Sequence, residues 1–284
     1  MFSPISFLQA GASSATWGPL GVLWAEGKGK GTSYWSRSSE ADHIRDLNTY
    51  YGLKKWGWVI YRCTYGDNAA WQHCIDEFKH YHAESLRDDL QADDLVSSYD
   101  WIVVEDPALD GATKDEVRRR FRQFRASLLD EIPSDLEERK KQAIIWEWPR
   151  YNFCIHVGPE ALESVLREGV AYNGNTNPAT TSHVNLVRAD DSWDMPDFDT
   201  FDWTKHEVEN QLRRELRDEA VKDDNDDYED DDYDDGAPEL EGSRLYDVGW
   251  MKLSAECLLQ AYANLQKYGS WDSRYVRWPR VCEC

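Results

Sequence analysis

The sequence predicts an α+β fold: a mixed or antiparallel sheet of split β-α-β units, ferredoxin-like in plan, with helices on one face. Three observations carry that expectation. Short runs of β-branched and aromatic residues alternate with longer stretches of helical spacing. Hydrophobic residues make up 41% of 284, enough for the core of a single domain. The runs come in the order β-α-β, a helical segment, β-α-β, an acidic stretch and β-α-β.

Residues 1–52 are rich in Gly and Ser and poor in periodicity. They read as a loosely ordered extension ahead of one α+β domain over 53–284. The segment Gly27 to Thr32, GKGKGT, lacks the glycine spacing and the Gly-Lys-Ser/Thr order of a phosphate loop. The first 25 residues carry no charge, and Pro19 and Gly21 break their longest apolar piece. That piece falls short of the roughly 20 residues of a membrane span and lacks the basic start of a secretory leader.

The domain is organised around Trp56 to Trp71, WGWVIYRCTYGDNAAW. Trp56 to Cys63 reads as a buried strand, and Tyr65-Gly66 as the turn that ends it. Asp67 then stands where an N-cap should. Trp71, Cys74, Ile75, Phe78, His82, Leu86 and Leu90 follow at helical spacing, one apolar stripe facing the sheet. Tyr99 to Glu105, YDWIVVE, is a second strand, stopped at Asp106-Pro107. Thr113 and Glu116 form a capping box. The helix they open buries Val117, Phe121, Phe124 and Leu128 and turns Arg118, Arg119, Arg120, Arg122 and Arg125 outward.

Residues 135 to 146 suggest a further polar helix. Tyr151 to Val157, YNFCIHV, is a third strand, and Pro159 starts a helix that buries Ala161, Leu162, Val165 and Leu166 before Gly169 ends it. His183 to Val187, HVNLV, is a fourth strand. From about 189 to 242 the chain is polar and acidic, which reads as a disordered insertion with helical character between Lys205 and Ala220. Leu245 to Leu253 returns as a strand, Ser254 caps a helix, and Tyr275 to Trp278 makes a last strand.

WGWVIYRCTYGDNAAW, WIVVEDPALDGATKDEVRRRFRQF, RYNFCIHVGPEAL and YDVGWMKL, in that order with an acidic break before the last, resemble an uncharacterised family of ascomycete fungal proteins. The resemblance covers roughly residues 53 to 280. It implies a fungal source and no established activity, so no functional residue is carried over from it.

Composition narrows the function. The net charge is −22, and ten acids between Asp223 and Asp235 leave −12 in the remainder. Such a chain is repelled by nucleic acid and by anionic membranes. The six cysteines are scattered, and Cys63, Cys74, Cys154 and Cys257 lie in apolar patterns that suit free buried thiols. The motifs of zinc proteases, serine hydrolases and dinucleotide-binding enzymes are absent. His80 and His82 point to different helix faces, and the acidic tract misplaces the ligands of an EF-hand, so no metal or cofactor is expected.

Four groups remain. Asp106 beside Glu105 is a candidate acid or base at a strand end. His156 late in the third strand is another, with a core histidine as the plainer account. Arg62, with Tyr61 beside it, interrupts the first strand and suits a carboxylate or phosphate, or else a structural ion pair. Arg118, Arg119 and Arg122 form the one basic face, a candidate for an anion or for the chain's own acidic tract. The expected function is a non-catalytic cytoplasmic protein that binds a partner protein or small ligand. The alternatives are a metal-independent acid–base enzyme of fungal secondary metabolism and a secreted effector.

Overall fold

The computed structural model describes residues 40–89, 91–170, 181–189, 239–241, 246–266 and 270–283. Within these, six strands form one mixed sheet: β1 (Val59–Arg62), β2 (Ile102–Val104), β3 (Phe153–Val157), β4 (His183–Arg188), β5 (Trp250–Ser254) and β6 (Val281–Cys282). The order is β2-β1-β3-β4-β5-β6. β1 runs parallel to both β2 and β3, β4 is antiparallel to its neighbours, and β6 is parallel to β5.

The α+β class and the mixed sheet stand, but the strands are not arranged as split ferredoxin-like units. Connections run from β1 outward to β2 and then back across to β3, so β1 sits between two parallel partners. The helices also lie on two faces rather than one. The register places Tyr61 opposite His156 and Arg62 opposite Val157. Successive side chains of a strand point to opposite faces. Arg62 meets Asn68 and Trp71 of α2 (Asn68–Glu84), whereas His156 meets Ala112 just before α4 (Lys114–Leu129). The two helices therefore cover opposite faces. Right-handed crossovers to strands on either side of β1 require this.

The remaining elements follow the local chemistry. Asp67 caps α2, accepting from the amides of Ala69 and Ala70. The stripe Trp71, Cys74, Ile75, Phe78, His82 and Leu86 is buried, the last in a π turn over Ser85–Asp89. Leu90 lies outside the described residues. α3 (Asp93–Val96) returns the chain to β2. Thr113 caps α4 by accepting from the amide of Glu116, while the Glu116 carboxylate turns to Arg119 and Arg120. α5 (Glu138–Glu147) and one turn, α6 (Pro149–Asn152), lead to β3. α7 (Pro159–Glu168) packs beside α2 and ends at Gly169, whose φ of 76° suits a residue without Cβ. Leu166 is exposed rather than buried.

Several expectations shift. Glu40–Tyr51 is a helix, α1, which buries Ile44, Leu47 and Tyr51 and packs against α8 (Leu258–Asn264). The ordered domain thus reaches back to residue 40; residues 1–39 lie outside the described residues. The strand expected from Leu245 is Trp250–Ser254, and Ser254 ends it without capping a helix. A 3-10 turn, Ala255–Cys257, comes between Ser254 and α8. Tyr275 to Trp278 is not a strand: α9 (Ser270–Arg274) precedes it and β6 follows. The acidic tract 190–238, with the helix expected in it, lies outside the described residues. Cys63, Cys74, Cys154 and Cys282 are free and buried, but Cys257 is disulfide-bonded.

Candidate functional site

Where β1 parts towards β2 and β3 towards the other edge, an open parallel sheet leaves a crevice at the strand carboxyl ends. Ligands of doubly wound folds bind there. Here the chain's own loop, Asp106 to Thr113, covers it. The Gly111 amide donates to the carbonyl of Cys63 at 3.1 Å, and the Tyr65 amide donates to Asp110 at 3.1 Å. Asp106 caps the 3-10 turn Pro107–Leu109 by accepting from the Ala108 amide at 2.9 Å. That carboxylate is already engaged in holding the loop.

Arg62 is equally committed. Its guanidinium donates to Glu105 at 3.0 Å, to Asn68 at 2.6 Å and to the Thr64 carbonyl at 2.8 Å. The rings of Tyr65 and Trp71 flank it. This is the structural ion pair across parallel strands, buried and bonded through all three guanidinium nitrogens. Tyr61, its neighbour, points to the opposite face, where burial pushes its phenol far up. Arg62, Asp106 and His156 thus share one end of the sheet without converging.

The basic helix is also used internally. Arg118 is only 3% exposed. It donates to the carbonyls of Arg188 at 2.7 Å, Gly249 at 2.9 Å and Val248 at 3.3 Å, and pairs with Asp115. It is not an outward anion site, because helix α4 lies close enough to the ends of β4 and β5 for one long fork to bridge them. Arg122 donates to Ala189 at 3.3 Å, and only Arg119 of the three stands well out, beside Glu116. Lys114 reaches Glu241 at 2.6 Å and lies over the Trp250 ring.

A different group of residues does converge. At one register, Tyr61, His156, Asn185 and Lys252 stand side by side across β1, β3, β4 and β5, on the α4 face. All four are buried. His156 donates from Nε2 to the Ala112 carbonyl at 2.9 Å and accepts at Nδ1 from Asn185 at 3.1 Å. Burial lowers its pKa to about 4, so the ring is neutral with both nitrogens satisfied. It is a core histidine. Gly158 lies over it, where an added Cβ would come within 2.9 Å of the ring.

The end of this lane differs. Lys252 lies almost wholly inside, and its ammonium donates to Glu160 in the first turn of α7. His183, two residues before Asn185 on the same face, is 5% exposed. Its Nδ1 faces the Thr181 carbonyl at 3.1 Å, and a carbonyl only accepts, so the proton sits on Nδ1. Its Nε2 is then an acceptor, buried and, among the described residues, without a hydrogen-bond partner. The Glu160 carboxylate is 4.0 Å away and beyond hydrogen-bond reach. Burial first, and then the Lys252 charge, lower the His183 pKa. Burial opposes ionisation of Glu160, but the Lys252 hydrogen bond and charge prevail and hold its pKa down. The result is a neutral imidazole acceptor, an ammonium donor and a carboxylate gathered at one end of the lane.

The sequence reading missed His183, Lys252 and Glu160. A signal existed for Lys252 and Asn185. Each is a polar residue inside an apolar strand run, the same mark that singled out Arg62 and His156. Among the described residues, no group of three His, Cys, Asp or Glu side chains is placed to hold a metal ion. Compared with known proteins, the chain matches no family model, no curated protein and no solved structure.

Proposed function

We propose that the protein is a non-catalytic binder of a small ligand, taken at the cluster formed by His183, Lys252 and Glu160. One observation carries the reading: a buried imidazole nitrogen with no partner, next to a buried ammonium. A buried polar atom left unsatisfied costs about 1–3 kcal/mol, and in native proteins such an atom calls for an explanation, of which an unseen bound group is one. A small ligand is favoured over a protein partner because Leu166 is the single large hydrophobic residue exposed among those described. Protein interfaces are built around larger apolar cores.

The enzyme alternative draws on the same neutral His183, which is in the right state to act as a base. The strong negative charge argues against nucleic acid as the ligand. No helix among the described residues is long and apolar enough to cross a membrane. A fungal origin and a cytoplasmic location remain our reading, the second supported by four free buried thiols. The disulfide at Cys257 favours the secreted alternative. Its cysteine should resist alkylation until reduced.

The test is native mass spectrometry of the protein purified from its own host. A small-molecule mass excess, lost on denaturation and absent from Lys252→Met, supports the reading. A bare protein mass, together with no response of His183 to any small solute, refutes it. A released species that differs from the one supplied would move the protein to the enzymes.

A further inference from the structure

We propose that Glu160 holds the place of a ligand carboxylate, and that the site takes a small 2-hydroxycarboxylate. Its carboxylate binds Lys252 and its hydroxyl donates to Nε2 of His183. This rests on the binding site proposed above and adds the chemistry of the occupant.

Each half of the occupant follows from one side chain. His183 Nε2 can only accept, since Nδ1 donates its proton to Thr181. The ligand must therefore bring a donor to that point. Lys252 can only donate, and it currently satisfies Glu160. The ligand must bring an acceptor there, and an anionic acceptor makes the stronger bond.

The donor is a hydroxyl rather than an ammonium. Apart from Glu160, which the ligand displaces, the charges acting on His183 are those of Lys252 and Arg167, and Lys252 and Lys114 act on Glu160. A further cation would be repelled among them. A neutral hydroxyl on the carbon next to a carboxylate bridges the 4.0 Å gap that Glu160 alone leaves open.

Glu160 is the part built to move. Its side chain is 72% exposed, against 7% for Lys252 and 6% for His183. The two recognising groups are fixed by strands β5 and β4. The carboxylate over them stands on the first turn of a helix and swings to solvent without disturbing the core. His82 supplies the contrast. It too has a buried ring nitrogen without a partner among the described residues. Its ring lies against Tyr81 and Trp101, and burial and the Ala255 hydrogen bond are the influences that set its pKa. It is a packing residue.

Glycolate, acetate and glycolamide are the probes, used on the intact chain and on Glu160→Ala. The readouts are the melting temperature and the His183 ring carbon resonance in 13C-histidine-labelled protein, assigned by its loss in His183→Gln. Glycolate should shift that resonance in both proteins and bind Glu160→Ala roughly tenfold tighter, because an internal competitor for a charge-assisted bond has gone. Acetate should bind more weakly than glycolate, and glycolamide should not bind. Acetate equal to glycolate would overturn the hydroxyl contact. Glycolamide equal to glycolate, with His183 responding, would overturn the carboxylate assignment and leave the binding site standing. If no probe moves His183 in either protein, the site itself fails and the inference falls with it. The measurements on the unmutated chain hold whether or not a variant folds well.

Discussion

Acidification should unfold this protein through its histidines before its carboxylates. His82 and His156 are both buried, and burial lowers each pKa to about 4 from an ordinary value near 6.5. Between those values the unfolded chain binds protons that the native state refuses. Stability therefore rises with pH across that window, is fully present above about 6.5, and is lost as pH falls towards 4. In the middle of the window each histidine contributes about 1.4 kcal/mol per pH unit. From pH 7 to 4.5 the loss is between about 2 and 3 kcal/mol per histidine, or roughly 5 kcal/mol for the pair, by the same linkage. That is comparable with the whole stability of many domains, about 5–15 kcal/mol.

Other groups bear on the sum, His183 and Asp247 among them. His183 is lowered as well, first by burial, and adds in the same direction. Asp247 is raised by burial, so its native state gains a proton first and offsets part of the loss. The assay is urea unfolding followed by tryptophan fluorescence at pH 7, 6, 5 and 4.5. His156→Asn should lower stability at pH 7 yet reduce the pH slope by about one proton's worth, and His82→Asn should do the same. A wild-type slope of less than one proton between pH 6 and 5, or a slope that neither variant changes, would refute the reasoning.

Arg118→Leu should cost about 2–4 kcal/mol, because three strand-end carbonyls lose a charged donor. Arg119→Leu, on the exposed side of the same helix, should change stability by less than about 1 kcal/mol. Equal effects in urea melts would show that Arg118 is not the clamp. Gly57→Ala should cost about 3 kcal/mol or more: φ is +123°, and the new Cβ would stand 2.7 Å from the Asp100 carbonyl oxygen. A neutral result there would refute the close approach of the Gly57 backbone to Asp100. Trp71→Ala should cost about 3–5 kcal/mol, since it removes a buried ring whose Nε1 donates to Glu105 at 3.2 Å. A loss of under about 1 kcal/mol would remove Trp71 from the core.

What the sequence determined by itself is what depends on neighbours within a turn or two. Asp67 and Thr113 cap their helices because a short polar side chain reaches free amides two or three residues on. Pro159 starts α7 because its fixed φ suits a first helical position. The stripe from Trp71 to His82 is buried because helical spacing alone puts those residues on one side. Arg62 was legible as an ion pair, because a charge in an apolar strand needs a partner.

Only the tertiary structure decided which faces and which distant residues meet. Alternation along β1 separates Tyr61 from Arg62, but the register with β3 decides that Tyr61 joins His156. Arg118 has the helical position of a surface arginine, and it is buried because the ends of β4 and β5 lie against that position. The Leu245 to Leu253 run sets Asp247 and Lys252 among apolar residues, so its pattern does not mark where pairing begins. Pairing with β4 sets the strand at Trp250. The cluster at His183 joins residues 160, 183 and 252, which lie on a helix and two strands. No local spacing relates them, because their meeting depends on β4 pairing with β5 under the first turn of α7.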